Sequence, residues 1–206
     1  DQSLGTPTLT RMVLVQLTSA RMGVVYQNGA SSVLTARTYS GSAWNTATNT
    51  VGTYDLTSGG GCTGISASIA CGMYVSATQT DVGTFAYPNG GWSVVTSVAT
   101  SNCGNSSGIS SDNSATLVVT CYGTSTVDHY LSTDSGATFG SSVSDVTGET
   151  NMGNYGSGSY DITSNKFQQL WLTGSVSPFN IRFNEVTLTV TEHVTITMSP
   201  AGQASQ

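Results

Sequence analysis

Short runs of apolar and β-branched residues recur along the chain, and turn residues separate them. No long stretch keeps apolar residues at helical spacing, because Gly, Ser and Thr interrupt every window. Runs with a period of two, rich in Val, Ile, Thr and aromatic residues, are typical of strands. The clearest predicted strands are residues 12–17, 22–26, 33–39, 116–120 and 186–191. The pattern therefore predicts an all-β protein.

The predicted strands are organised in a repeat. Four similar short motifs each precede an apolar strand, at residues 16–19, 55–58, 98–101 and 161–164. A second strand follows in each unit, and a tight turn then leads to an aromatic residue. These aromatic residues are Trp44, Trp92 and Phe139, which lie about 47 residues apart.

A period of about 40–50 residues with several short strands per unit is typical of propeller blades. One four-stranded sheet exposes both of its faces, and stacking against similar sheets buries them. Four units fit the length. We therefore predict a four-bladed β-propeller-like array of four-stranded antiparallel blades, forming a single domain over residues 1–206, with the turn aromatics wedged between blades.

The last unit departs from the repeat. Residues 179–186 contain no glycine turn, no tryptophan follows them, and a Thr/Val alternation continues through Met198. This tail could close the ring by pairing with strand 9–17, form the edge of a C-terminal β-sandwich, or be donated to a neighbouring subunit. The Gly-, Asn- and Ser-rich segment 148–159 is predicted to be a domain boundary or a long loop.

The cysteines predict disulfides rather than a metal site. They form an even set without the Cys-x-x-Cys and His spacing of a zinc site. Three connectivities are open, and we predict the short-loop pairing, which staples local hairpins: Cys62 with Cys71 and Cys103 with Cys121. Disulfides require an oxidising compartment, so the protein is expected to be secreted or on the cell surface.

The charge pattern excludes several classes of partner. Charged residues make up 8% of the chain and the net charge is −6, whereas an average protein has roughly 25% charged residues. The few basic residues are scattered, which argues against nucleic-acid binding and against a polybasic membrane anchor. No apolar run approaches the ~20 residues of a transmembrane helix, so no membrane insertion is expected. Asn105 begins a sequon for N-glycosylation.

No group of residues has the pattern of a catalytic site. Asp128 and His129 are adjacent and Ser132 is near, but strand alternation places the first two on opposite faces, so no triad is predicted. His129 is expected to be solvated or hydrogen-bonded. No pair among the acids has a spacing that indicates a glycosidase, and His193 has no identifiable metal partners. We predict no catalytic residue, no metal and no cofactor.

One stretch resembles a known motif. Residues 132–139 are similar to the Asp-box, the Ser-x-Asp-x-Gly-x-Thr-aromatic hairpin turn of sialidase-type propellers and their relatives. The likeness covers eight residues in one repeat of four, at Ser132, Asp134, Gly136, Thr138 and Phe139. It implies a structural turn in which the Asp caps the backbone, the Gly takes a positive φ and the aromatic packs inward, which local physics also predicts.

A second likeness concerns carbohydrate. The stretch from residues 24–29 to 39–44 resembles, briefly, the blades of propeller lectins. Aromatic residues at blade edges could stack on sugar faces, and Arg37 could donate to a hydroxyl. The aromatic candidates for glycan contact are Tyr39, Trp44, Tyr87 and Trp92.

Three functions follow from the sequence. The leading hypothesis is a non-catalytic extracellular structural module that self-assembles, or decorates a larger surface such as a filament, appendage or virion. Its partners would be further copies or another surface protein. The alternatives are a glycan-binding propeller lectin and a degenerate sialidase-like glycosidase. A sialidase needs three clustered arginines, and the arginines here lack the sequence context of that family.

Overall fold

The computed structural model describes most of the chain. In this part fifteen strands and no helix are present. None of these residues forms a helix with the length and apolarity needed to cross a bilayer. The described residues are 9–18, 21–28, 33–49, 53–56, 60–76, 78–88, 90–99, 103, 106–149, 152–161, 165–173 and 180–188.

The strands form four antiparallel sheets, which we number as blades 1 to 4, and each is built from consecutive strands. Blade 1 contains β1 (Leu9–Thr18), β2 (Arg21–Asn28), β3 (Leu34–Tyr39) and β4 (Thr48–Asn49). Blade 2 contains β5 (Gly61–Ile65), β6 (Ser68–Ser76), β7 (Gln79–Ala86) and β8 (Trp92–Ala99). Blade 3 contains β9 (Ser106–Ser111), β10 (Leu117–Tyr122), β11 (Thr126–Ser132) and β12 (Val143–Thr147). Blade 4 contains β13 (Met152–Asp161), β14 (Lys166–Thr173) and β15 (Asn180–Thr187).

This arrangement confirms the predicted all-β, propeller-like array of four-stranded antiparallel blades. In blade 4, three strands lie within the described residues. The predicted strands 12–17, 22–26, 33–39 and 116–120 coincide with β1, β2, β3 and β10 to within a residue at most boundaries. The predicted strand 186–191 overlaps β15 only in its first two residues.

Of the two alternatives for residues 148–159, the long loop is wrong for residues 152–159, and the domain boundary stays a prediction. Residues 152–161 form β13, the first strand of blade 4. Gly, Asn and Ser are poor strand formers by themselves. Here β13 pairs with β14 along its length and also contacts β9 of blade 3, so tertiary pairing overrides the local preference.

The first strand of each blade lies at the junction with its neighbours. β1 contacts β5, β5 contacts β9, and β9 contacts β13. Each blade therefore has a preceding face, turned toward the blade before it in the chain, and a following face, turned toward the blade after it. Side chains of β2 alternate between these two faces of blade 1. Val25 packs toward blade 2 on the following face, so Met22 and Val24 lie on the preceding face.

The hydrophobic core consists of layers between successive blades. The layer between blades 1 and 2 joins Val15 and Val25 to Ile69 and Phe85. The next layer joins blade 2 to blade 3, and two smaller clusters join blade 3 to blade 4. Stacking thus buries the sheet faces, as the repeat predicts.

The disulfide pairing is confirmed. Cys62 bonds to Cys71 across the β5–β6 pair, with Cα atoms 4.0 Å apart. Cys103 bonds to Cys121, with Cα atoms 4.5 Å apart. Cys71 and Cys121 lie in the layers against blade 1 and blade 2 respectively, so each bond fixes a strand at a blade interface.

Part of the tail can now be placed. Residues 180–187 pair with β14 inside blade 4, whereas β1 pairs with β2. In the described residues the tail therefore neither closes a ring on strand 9–17 nor forms a separate sandwich. Residues 189–206, including His193 and Met198, lie outside the described residues, as does Asn105.

Candidate functional site

Two aromatic pairs occupy equivalent positions in blades 1 and 2. The rings of Tyr39 and Trp44 lie 5.4 Å apart at an angle of 53°. The rings of Phe85 and Trp92 lie 5.7 Å apart at 50°. In both blades the tryptophan is the bridge partner of the aromatic residue near the end of the third strand. The sequence period is therefore a structural period as well.

Trp92 wedges between blades 1 and 2. It packs against the hydrophobic layer between them, and its indole N–H donates to the Thr48 carbonyl oxygen at 3.2 Å. Phe139 packs in a comparable way against the layer between blades 2 and 3. These contacts confirm the predicted wedge role for both residues and engage Trp92 within the fold.

Tyr87 also belongs to the blade 1–blade 2 interface. The Arg21 guanidinium lies 4.3 Å from the centre of its ring, which is a cation–π contact. Beside it, the Asn45 amide donates to the Pro88 carbonyl oxygen at 2.9 Å. Tyr87 and Trp92 are thus interface residues, and their role as glycan contacts stays a prediction.

Tyr39, Trp44 and Arg37 lie together on the preceding face of blade 1. Tyr39 and Arg37 of β3 lie directly opposite Met22 and Val24 of β2, so they share that face. Arg37 donates from Nε to the Asn45 carbonyl oxygen at 2.9 Å. All three side chains are half-buried, and Val24 and Tyr26 of the same face are buried, so of the five predicted glycan contacts these three share one partly covered face.

The two ends of the blade array are apolar. We call the preceding face of blade 1 the leading end face and the following face of blade 4 the trailing end face. Among the described residues, eight large hydrophobic side chains are exposed, and six of them lie on these two faces. The leading end face carries Met12, Leu14 and Met22, and the trailing end face carries Leu170, Ile181 and Phe183.

The turn at residues 132–139 is closed by side chains. Asp134 accepts from the Thr138 backbone N–H at 2.9 Å and from its hydroxyl at 2.6 Å. The Gly136 N–H donates to the Ser132 hydroxyl oxygen at 2.9 Å, and Gly136 has a φ of 87°. A Cβ at Gly136 would also crowd Leu117. This geometry agrees with the turn expected from local physics, while the likeness to the Asp-box stays a resemblance.

Replacing Asp134 with asparagine is expected to destabilise the turn at neutral pH. Burial would raise the pKa of Asp134, but hydrogen bonds from Thr138 and Ser132 outweigh it and lower the pKa below its usual value. A depressed folded pKa stabilises the fold above the unfolded pKa, and this stabilisation is lost as the pH falls through the folded pKa. We expect a loss of about 1 kcal/mol at neutral pH, measured by urea unfolding.

The same comparison at a pH below the lowered folded pKa of Asp134, where the carboxyl is protonated, supplies the control. The difference between the wild type and D134N should shrink there. An equal loss at both pH values would contradict a role for the carboxylate charge.

A buried polar network joins blade 3 to blade 4. His129 Nδ1 lies 2.8 Å from the Asp145 carboxylate, and both side chains are almost fully buried. The Gln169 amide donates to the same carboxylate at 2.6 Å, and the Asn184 amide donates to Gln169 at 2.9 Å. The Phe167 ring lies edge-on to His129, 5.0 Å away.

Asp128 and His129 lie on opposite faces of β11. Asp128 is turned toward the opposite face, where it accepts from the hydroxyls of Thr126 and Ser144. The predicted separation of the two side chains and the hydrogen-bonded state of His129 are therefore confirmed. Sequence reasoning missed Asp145, which is 16 residues from His129, and no spacing signal marks it.

A cavity of about 620 Å³ lies beside this network, between blade 3 and the end of blade 4. Its lining mixes apolar side chains, such as Phe139 and Val186, with the hydroxyls of Thr133 and Thr138. The chain continues from Leu188, which lines the cavity, into residues outside the described part. In the described residues no cluster of His, Cys, Asp or Glu could hold a metal ion.

The arginines do not assemble the cluster that a sialidase needs. Arg11 and Arg37 lie on opposite faces of blade 1, and Arg11 donates to the Leu56 carbonyl oxygen. Arg182 belongs to blade 4, where it lies 3.9 Å from Glu149. Among the described residues, no three guanidinium groups therefore converge on one carboxylate site.

No protein-family model and no curated protein matches the chain. Solved structures resemble it at low identity. The fucose-specific lectin from Aleuria aurantia is 14% identical with a TM-score of 0.47, over 84% of this chain and 60% of the lectin. The NanB sialidase from Streptococcus pneumoniae is 11% identical with a TM-score of 0.45, over 77% of this chain and 29% of the sialidase.

A third structure, the Hadza microbial sialidase Hz136, is 12% identical with a TM-score of 0.48, over 82% of this chain and 35% of that protein. The chain thus spans less than two thirds of the length of each of these proteins. The likeness is one of fold, and it carries neither sugar binding nor hydrolysis over to this chain.

Proposed function

We propose that this chain is a non-catalytic extracellular structural module that associates with further copies through its two end faces. The observation that carries the proposal is the position of the exposed apolar side chains. Six of the eight lie on the end faces, where Leu14 is 65% and Ile181 is 70% exposed. Contiguous exposed apolar surface marks interaction sites in soluble proteins.

The architecture gives the physical reason. In arrays of stacked repeats, terminal units need a polar outer face to stay soluble alone. The end blades here present methionine, leucine, isoleucine and phenylalanine instead. The low charge also favours association, because 8% charged residues give weak repulsion between copies. The two disulfides support an oxidising, extracellular setting.

Sedimentation velocity over a concentration series tests the proposal. We expect the mass to rise above the 21.2 kDa monomer with concentration. A double variant, L14K with F183K, should stay monomeric, because a buried unpaired ammonium is strongly unfavourable. V75K is the matched control, since Val75 is exposed but lies on neither end face. A wild type that is monomeric at every concentration would refute the proposal.

One observation favours a second candidate, glycan binding. Tyr39 and Trp44 form an accessible aromatic pair with Arg37 on the same face, and aromatic rings with a nearby donor suit the apolar face and hydroxyls of a sugar. A glycan array probed with the wild type and W44A tests this. Glycan signals that the wild type gives and W44A loses would support glycan binding. A wild type that gives no specific signal on the array would exclude it. W92A should instead lower stability, because Trp92 fills a blade interface.

A further inference from the structure

The blades of this chain always join in one polarity. The following face of blade 1 packs on the preceding face of blade 2, and the next two interfaces repeat this arrangement. The first strands meet in the same order, from β1 to β13. Among the described blades, the leading and trailing end faces are therefore the two halves of a blade interface that no other blade matches.

The leading end face already carries the wedge of such an interface. In blade 2, Trp92 rests on Phe85 and donates its indole N–H to blade 1. Tyr39 and Trp44 reproduce this pair, with ring distances of 5.4 and 5.7 Å in blades 1 and 2. No described residue forms a blade on the preceding side of the pair in blade 1.

The trailing end face of a second copy has the apolar surface on which the leading end face would pack. On blade 4, Leu170 and Leu172 of β14 lie opposite Phe183 and Ile181 of β15, so four apolar side chains form one patch. Lys166 and Glu185 pair with each other at the edge of this face. The patch thus has an apolar centre and a neutralised polar rim, which is the usual composition of an interface.

The two end faces do not cover each other within one chain. Stacked in the same molecule they would be buried, but Leu14 is 65%, Ile181 70% and Phe183 60% exposed. We infer that the trailing end face of one copy stacks on the leading end face of the next, so that copies associate head to tail with Trp44 as the wedge. This inference rests on the proposed self-association and adds its polarity.

Head-to-tail contacts join two different surfaces, so they extend into chains or close into rings rather than stopping at a symmetric dimer. Each copy then continues the blade array of the previous one. Face-to-face pairing of two leading or two trailing ends would instead stop at a dimer and would leave the other end face exposed.

Mixing two single-face variants tests the polarity. L14K keeps an intact trailing end face, and F183K keeps an intact leading end face. Alone, each is expected to sediment as a monomer, with a dissociation constant raised at least about tenfold. In an equimolar mixture, one intact interface remains between unlike variants, so the mixture should form a dimer of twice the 21.2 kDa monomer mass and grow no further.

The other outcomes separate this inference from the proposed function. If one variant alone still dimerises while the other does not, the contact joins like faces and the inference is overturned. If both variants associate as the wild type does, another surface is used and the inference is also overturned. Only a monomeric wild type would remove the proposed function itself. W44A keeps both apolar patches, so when it is added to the F183K partner it should weaken the L14K–F183K dimer, whereas V75K in the same partner should leave the dimer unchanged. A W44A dimer as strong as the V75K dimer would exclude the wedge.

Discussion

Replacing Asp145 with alanine is expected to lower the free energy of unfolding by about 3 kcal/mol or more. The Asp145 carboxylate accepts from His129 at 2.8 Å and from Gln169 at 2.6 Å. Both donors are buried, and Gln169 is fully so. Removing the acceptor leaves two buried polar groups without a partner at the blade 3–blade 4 interface, and each costs about 1–3 kcal/mol.

An exposed ion pair provides the matched control. Lys166 and Glu185 are paired at 2.5 Å, but their side chains are 36% and 35% exposed. E185A should therefore cost no more than about 1 kcal/mol. Urea unfolding of D145A, D145N and E185A would give the comparison, with D145N intermediate because its amide oxygen still accepts one hydrogen bond. Equal losses in D145A and E185A would show that the network adds nothing to stability.

Local signals in the sequence predicted most of the architecture. Turn residues and aromatic positions have a period, and that period is set by the blade itself, so Trp44 and Trp92 fall at equivalent places. The disulfides could be paired from the sequence because both close short loops. The long-loop prediction failed for residues 152–159 because β13 takes its strand conformation from pairing with β14 and contact with β9.

The site was harder to predict than the fold. Asp145, Gln169 and Asn184 meet only after blade 4 stacks on blade 3, and none of them lies in a motif. Tyr87 and Trp92 are predicted glycan contacts that lie at a blade interface, because the place of a blade in the array decides whether its aromatic residues face solvent or a neighbouring blade. The same residue type is a wedge in blade 2 and is half-buried in blade 1, where no described blade packs on the preceding face.

The leading end face therefore links the two candidate functions. Tyr39 and Trp44 are accessible only while that face is open. A copy stacked on blade 1 would cover the aromatic pair that a sugar would need. Glycan binding and head-to-tail association through this face should compete, which makes the two proposals distinguishable in one sample.

Replacing Gly64 with alanine is expected to cost about 3 kcal/mol or more of folding free energy. Gly64 lies in β5, where the first strands of three blades meet. A Cβ at this position would overlap the Gln16 carbonyl oxygen of β1. On the other side, the Gly64 carbonyl oxygen accepts from the Ser111 hydroxyl of β9. Because the obstruction is backbone, it cannot be relieved by a side-chain rotation.

Gly61 supplies the control within the same strand. A Cβ built there meets no atom within 4 Å, so G61A changes β-propensity and the freedom of the unfolded chain by the same amounts as G64A does, without the overlap. Thermal and urea unfolding should show G61A near the wild type and G64A far below it. Circular dichroism and limited proteolysis would report a G64A chain that fails to fold. Similar stability for the two variants would mean that β1 and β5 are not packed backbone to backbone, and the stacking of blades on their first strands would have to be abandoned.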